Sequence, residues 1–163
     1  MDFSAEHRFP APPDAVIAAM TDPSFAPRLA ELPDVGSAEA VASGHDGPVA
    51  WIRVRLVYDG QLDPVARTVL GGDAPSWIQE YRLDAASCTG TVDIVPERHE
   101  GLLRCAAALE LQPDDSGTVR SMRGSLEVRV PLVGGRAERA LAPAILRRID
   151  LEAGLLAEWM VGG

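Results

Sequence analysis

The chain has 163 residues, 47% of them hydrophobic and 24% charged, and a net charge of −9 from 15 basic and 24 acidic side chains. That balance, with no basic stripe, argues against nucleic acid or an anionic membrane surface as partner. No run of about 18 apolar residues and no charged-then-apolar leader is present, so a cytoplasmic protein without membrane insertion is expected, with one domain over residues 1–163.

Residues 2–9 alternate, with Phe3, Ala5, His7 and Phe9 on one face and Ser4, Glu6 and Arg8 on the other, which reads as a half-buried strand. Pro12-Pro13-Asp14 opens a helix whose body is Ala15 to Met20, because proline suits the first turn and Asp14 faces the positive dipole end. Asp22-Pro23 starts a second short helix that carries Phe25 and Leu29 and stops before Pro33. Strands follow: a weak one over 36–43, then a strong one over 48–58. In the strong one Ile52, Val54, Leu56 and Tyr58 face inward while Arg53 and Arg55 face outward. Asp63-Pro64 and Gly71-Gly72 punctuate a two-turn helix over 63–70, which could act as a lid on the interior or as a static plug.

Strands resume at 76–83, 88–95, 102–112 and 118–130. Their inward sets are Trp77, Gln79, Tyr81 and Leu83; Cys88, Gly90, Val92 and Ile94; Leu103, Cys105, Ala107, Leu109 and Leu111; and Met122, Gly124, Leu126, Val128 and Val130. Short turns between them, such as Asp114-Asp115-Ser116-Gly117, imply antiparallel neighbours.

Residues 131–160 close the chain as one long amphipathic helix, beginning near Gly135. With Ile149 at the centre of a helical wheel, Ala142, Ile145, Ala153, Leu156 and Met160 fall within about 40° of it. Glu152 flanks the stripe at about 60°, and Leu151 points about 200° away. Pro143 lies inside and cannot donate to the carbonyl of Arg139, so the helix should bend or begin there. One greasy face on a long helix must be buried against the sheet.

Strand, two helices, a run of strands, long helix: this order resembles the START-like or helix-grip superfamily of pollen-allergen, polyketide-cyclase and lipid-transfer proteins. The stretches that carry the likeness are the opening FSAEHRFPAPPDAVIAAMTDP and the closing SLEVRVPLVGGRAERALAPAILRRIDLEAGLLAEWM. More narrowly, the chain resembles an actinobacterial family of unassigned function in that superfamily. The resemblance implies an α+β helix-grip fold: six to seven antiparallel strands curved round the C-terminal helix, two short helices after the first strand, and a cavity between sheet and helix.

Residues with chemistry to offer are sparse. His7, His45 and His99 are scattered, Cys88 and Cys105 form no CxxC pair and read as buried thiols in strands, and neither phosphate loop nor nucleophile elbow is present. No metal, cofactor or catalytic residue is therefore expected. His45 and His99 fall in expected turns. Glu138 reads as a wet carboxylate in the first helical turns, and Glu152 as a rim carboxylate paired with one of the many arginines. Small inward residues, Gly90, Cys105, Ala107, Gly124, Ala142 and Ala153, leave either a close approach of layers or a cavity. A small apolar or amphipathic molecule is the expected partner, lined by Leu56, Tyr58, Trp77, Tyr81, Ile145 and Ile149. The rivals are a cyclase or dehydrase-like enzyme using His7 or Glu152 as acid/base in that cavity, and a protein-interaction domain with a filled core.

Overall fold

Period-two alternation builds the strands of the computed structural model, which describes residues 1–61, 64, 67, 74–98 and 100–162. Among these, seven strands form one antiparallel sheet: β1 Asp2–Phe9, β2 Val35–Asp46, β3 Val49–Tyr58, β4 Ser76–Asp84, β5 Thr89–Pro96, β6 Leu103–Asp114 and β7 Gly117–Val128. The order across the sheet is β1-β7-β6-β5-β4-β3-β2. Strands β2 to β7 are sequential neighbours, and β1 returns to pair with β7. The edge strand β2 shifts register against β3 twice, between Val35 and Ser37 and between Ala40 and Ala42.

Helix α1, Pro13–Met20, and a 3-10 helix, Ala26–Glu31, carry the chain from one edge strand to the other. The second was expected as a short helix starting at Asp22-Pro23, and it is a 3-10 helix that starts at Ala26. Pro27 has no N–H to reach the Pro23 carbonyl, and the three-residue bonds Ala26 N–H to Pro23 O (3.3 Å) and Arg28 N–H to Phe25 O (2.9 Å) form instead.

Helix α2, Gly134–Gly162, lies in the grip of the sheet. It buries Ala137, Leu141, Ala142, Ile149, Ala153, Leu155 and Leu156, a face that takes in Ile149 and spreads to one side of it, by about 120° at Ala137 and Leu155. It begins nine residues before Pro143 rather than near it, and runs through it. Pro143 and Arg139 are both exposed, so water can take the carbonyl the proline leaves free. Gly134 lets the start of α2 come close to the end of β7, since a Cβ there would come within 2.4 Å of the Val128 carbonyl oxygen.

Several local expectations change. His45 is exposed at the end of β2, not in a turn. Cys88 is only half-buried and sits in the β4–β5 turn with φ +56°, where Asp84 Oδ1 accepts the Ala86 N–H at 2.8 Å and its carbonyl accepts the Cys88 N–H at 2.8 Å. That short Asx-type turn needs a left-handed residue, which removes Cys88 from the strand. The helix expected over 63–70, apart from residues 64 and 67, and His99 lie outside the described residues. No helix among the described residues is long and apolar enough to cross a membrane.

The interior is two buried clusters. The larger joins Val16, Met20, Phe25 and Leu29 to Ile52, Leu56, Leu83 and Leu156. The smaller joins Ile94, Leu103, Cys105, Leu126 and Val128 to Ala137, Leu141 and Ala142. Phe3, Trp77 and Ile145 pack against both. Small residues of the sheet are taken up by close approach: a Cβ on Gly124 would lie 2.6 Å from Ala107 Cβ and 2.7 Å from Phe3 Cζ.

Candidate functional site: a cavity and its polar floor

Strand β4 points Trp77, Gln79 and Tyr81 inward in succession, and α2 brings Arg148 and Glu152, one turn apart, against them. A closed hydrogen-bonded ring results. Gln79 Nε2 donates to Glu152 Oε1 at 3.0 Å and Tyr81 Oη donates to the same oxygen at 3.2 Å. Arg148 Nη1 donates to Glu152 Oε2 at 3.0 Å, and Nη2 to Gln79 Oε1 at 2.8 Å. Gln79, Tyr81 and Glu152 are 1%, 5% and 6% exposed, so this is core chemistry rather than a rim. Each side chain in the ring has a hydrogen-bond partner within it, and the Glu152 charge is paired with that of Arg148, which is what burying it requires. Burial is the main cause that pushes the Tyr81 hydroxyl well above its ordinary range, so it stays a donor.

The ring divides the interior. On the side of Phe25, Leu29, Ile52 and Leu156 the remaining void is about 10 Å³, room for roughly one water. On the other side lies a cavity of about 230 Å³ between sheet and helix. Its apolar lining includes Trp77, Ile94, Leu103, Leu141 and Ile145, with Leu32, Val35, Tyr58 and Leu151. Arg148 lies over the Trp77 ring, 5.6 Å from its centroid, and forms the polar floor. Tyr58 and Trp77 are tilted rings with centroids 6.4 Å apart. The Trp77 Nε1 proton is buried without a partner.

Of the six lining candidates read from sequence, Tyr58, Trp77 and Ile145 border the cavity. Leu56 and Ile149, 0% and 4% exposed, belong to the packed cluster, and Tyr81 belongs to the ring and the small void. Leu141, Arg147 and Arg148 are among the lining residues that periodicity did not single out, and Leu103 and Ile94 were read as inward but not as lining. Gln79 and Arg148 had a signal: an amide at an inward strand position, and an arginine one helical turn before Glu152 on the stripe's edge.

His7 does not reach this cavity. Its Nδ1 is 3.0 Å from Arg120 Nη2 and its Nε2 is 2.7 Å from Asp150 Oδ1. A guanidinium only donates, so Nδ1 accepts and the Nε2 proton goes to Asp150. Arg120 continues the inward alternation of β7 and is 2% exposed, seated over Phe9 at 5.1 Å with its Nε unpartnered. Glu138 accepts the Val128 N–H at 3.3 Å and the Met1 ammonium at 2.9 Å, a tie between helix and sheet. Among the described residues no group of His, Cys and carboxylates could hold a metal ion.

A sheet gripping one long helix over a cavity defines the helix-grip class, and solved structures share it. A protein of Thermus thermophilus aligns with 99% of this chain and 98% of its own at TM-score 0.69 and 20% identity. Ara h 8.0201 aligns over 100% and 99% at TM-score 0.65 and 14% identity, and the Zhui aromatase/cyclase of a Streptomyces species over 98% and 92% at 0.59 and 13%. At these identities the likeness concerns the fold alone. Residues 4–160 match the family described as protein of unknown function DUF2505, and the chain belongs to that family. Uncharacterized proteins of Mycobacterium tuberculosis and Mycobacterium bovis are 25% identical to it over 144 residues, 82% of this chain and 80% of theirs.

Proposed function

We propose that the chain binds a small apolar or amphipathic molecule in the cavity between the sheet and α2. The observation that supports this is the cavity itself: about 230 Å³ of space with an apolar wall among the described residues, against about 10 Å³ on the far side of the ring. Interiors pack densely and a void is destabilising, so a space kept open on one side only argues for an occupant. The volume is below the roughly 300–1,000 Å³ of pockets for drug-sized ligands. The occupant is therefore compact, one or two rings or a short chain. Tyr58, Trp77 and Ile145 touch it in this reading, and Leu56, Ile149 and Tyr81 support the walls from behind.

The enzyme reading draws on the neighbours named as aromatase/cyclases, Zhui among them. It requires an acid/base group in the cavity. His7 is engaged by Arg120 and Asp150, and Glu152 by three donors, and neither borders that space. A filled-core interaction domain leaves the void without a purpose. Native mass spectrometry of protein purified from its own host tests the proposal. The expected result is a bound small molecule that is lost when Ile145→Trp fills the cavity. Wild-type protein that carries no small molecule, and takes up a fluorescent apolar probe no better than the variant, would overturn it.

A further inference from the structure

We propose that the ligand is a small apolar acid whose carboxylate lies against Arg147 and Arg148, with its apolar body on Leu103, Leu141 and Ile145. This rests on the binding reading above and adds the ligand's charge. The charged side chains bordering the cavity are Arg147, Arg148 and Asp34. Arg148 is held rigid: Glu152 and Gln79 fix two of its N–H groups at 3.0 and 2.8 Å, and the Trp77 ring supports its plane. A guanidinium has five N–H groups, so a ligand oxygen can still approach the others.

Arg147, the next residue along α2, borders the same space, is exposed, and makes no hydrogen bond or ion pair among the described residues. Arg148 already shares its charge with Glu152, so Arg147 is the uncompensated cation of the lining. Asp34, in the turn that leads into β2, borders the same cavity. Its Oδ1 is turned toward Gly60, where a Cβ would come within 2.5 Å of it. The free cation is therefore on the helix, while the Asp34 carboxylate lies near enough to Tyr58 to push that hydroxyl up, after burial. A chain of net charge −9 gives an acid no long-range attraction. Recognition must come from short-range, fork-shaped contacts, which arginine makes with carboxylates.

The test is calorimetric titration with a panel of straight-chain and phenyl-substituted carboxylic acids of six to ten carbons, each beside its own primary amide. An acid should bind at least about tenfold tighter than its amide, and salt should weaken only the acid. Arg147→Gln, an exposed change, should bring the acid down to the level of the amide. Asp34→Asn keeps a residue type that tolerates the positive φ of 66° and should tighten the acid several-fold. Acids and amides of equal affinity, or a preference that survives Arg147→Gln, would overturn the acid proposal and leave the binding function standing. Failure of the whole panel to bind would overturn both.

Discussion

The two ends of the interior are built from the same strands and the same helix, yet one is full and the other hollow. At the full end, α1 and the 3-10 helix press Val16, Met20, Phe25 and Leu29 into the sheet, and Trp159 closes over Phe25 with ring centroids 5.4 Å apart. At the hollow end no such bracket lies over the sheet among the described residues, and Trp77, Leu141 and Ile145 face open space. The ring of Gln79, Tyr81, Arg148 and Glu152 stands between them. A filled core here requires a third layer of residues, and among the described residues that layer is present at one end only.

The division can be broken most strongly at the ring. Glu152→Ala removes the acceptor for three donors and leaves the Arg148 charge uncompensated, so about 3–5 kcal/mol should be lost in chemical denaturation. A loss below about 1 kcal/mol would mean that water reaches the ring and the two ends are one space.

Cys105 tests whether the hollow end is dry. It is 2% exposed in the smaller cluster, and burial pushes its thiol from 9.0 up to about 11. A folded pKa above the unfolded one means the folded state holds the proton longer. The stabilisation is complete below pH 9 and is lost as pH rises through 11. Its ceiling is about 3 kcal/mol. Wild type should therefore weaken between pH 9 and 11 more steeply than Cys105→Ala, and at pH 8.5 alkylation should mark half-exposed Cys88 first. Parallel slopes for the two proteins would show a wetted interior.

Next come two truncations on one helix. Leu156, 3% exposed, borders the full end, and Leu141, 8% exposed, already faces the cavity. Leu→Ala should cost about 4–5 kcal/mol at 156 and about 2–3 kcal/mol at 141, because a side chain beside a void has fewer contacts to lose. Equal losses would dissolve the contrast. The smallest effect belongs to Leu151, 39% exposed and bordering the cavity, where Leu→Ala should change stability by no more than about 0.5 kcal/mol. A larger loss would assign that face of α2 to a structural contact.

The strands and the long helix were legible because their signals are local. Trp77, Gln79, Tyr81 and Leu83 alternate whatever lies across from them, and the stripe through Ile149 repeats every turn. The cavity was not, because a void depends on what arrives from elsewhere in the chain. Gly124 looked like space, and Phe3 from the other end of the sequence fills it. Leu103 was read only as an inward strand residue, and with Leu141 it borders the cavity. Glu152 was read correctly as the partner of an arginine. Its burial could not be read, since that depends on the inward amide of β4 lying opposite it.

The two register shifts in β2 bear on how this molecule behaves in a crowd. An open sheet ends in strands with free backbone groups, and a long regular edge invites another chain to add itself as an eighth strand. Strand β2 has twelve residues, long enough for that, but its breaks at Val35/Ser37 and Ala40/Ala42 interrupt the repeat of donors and acceptors. A newcomer in register with one part of the edge falls out of register with the next. The irregularity on the outside thus guards solubility.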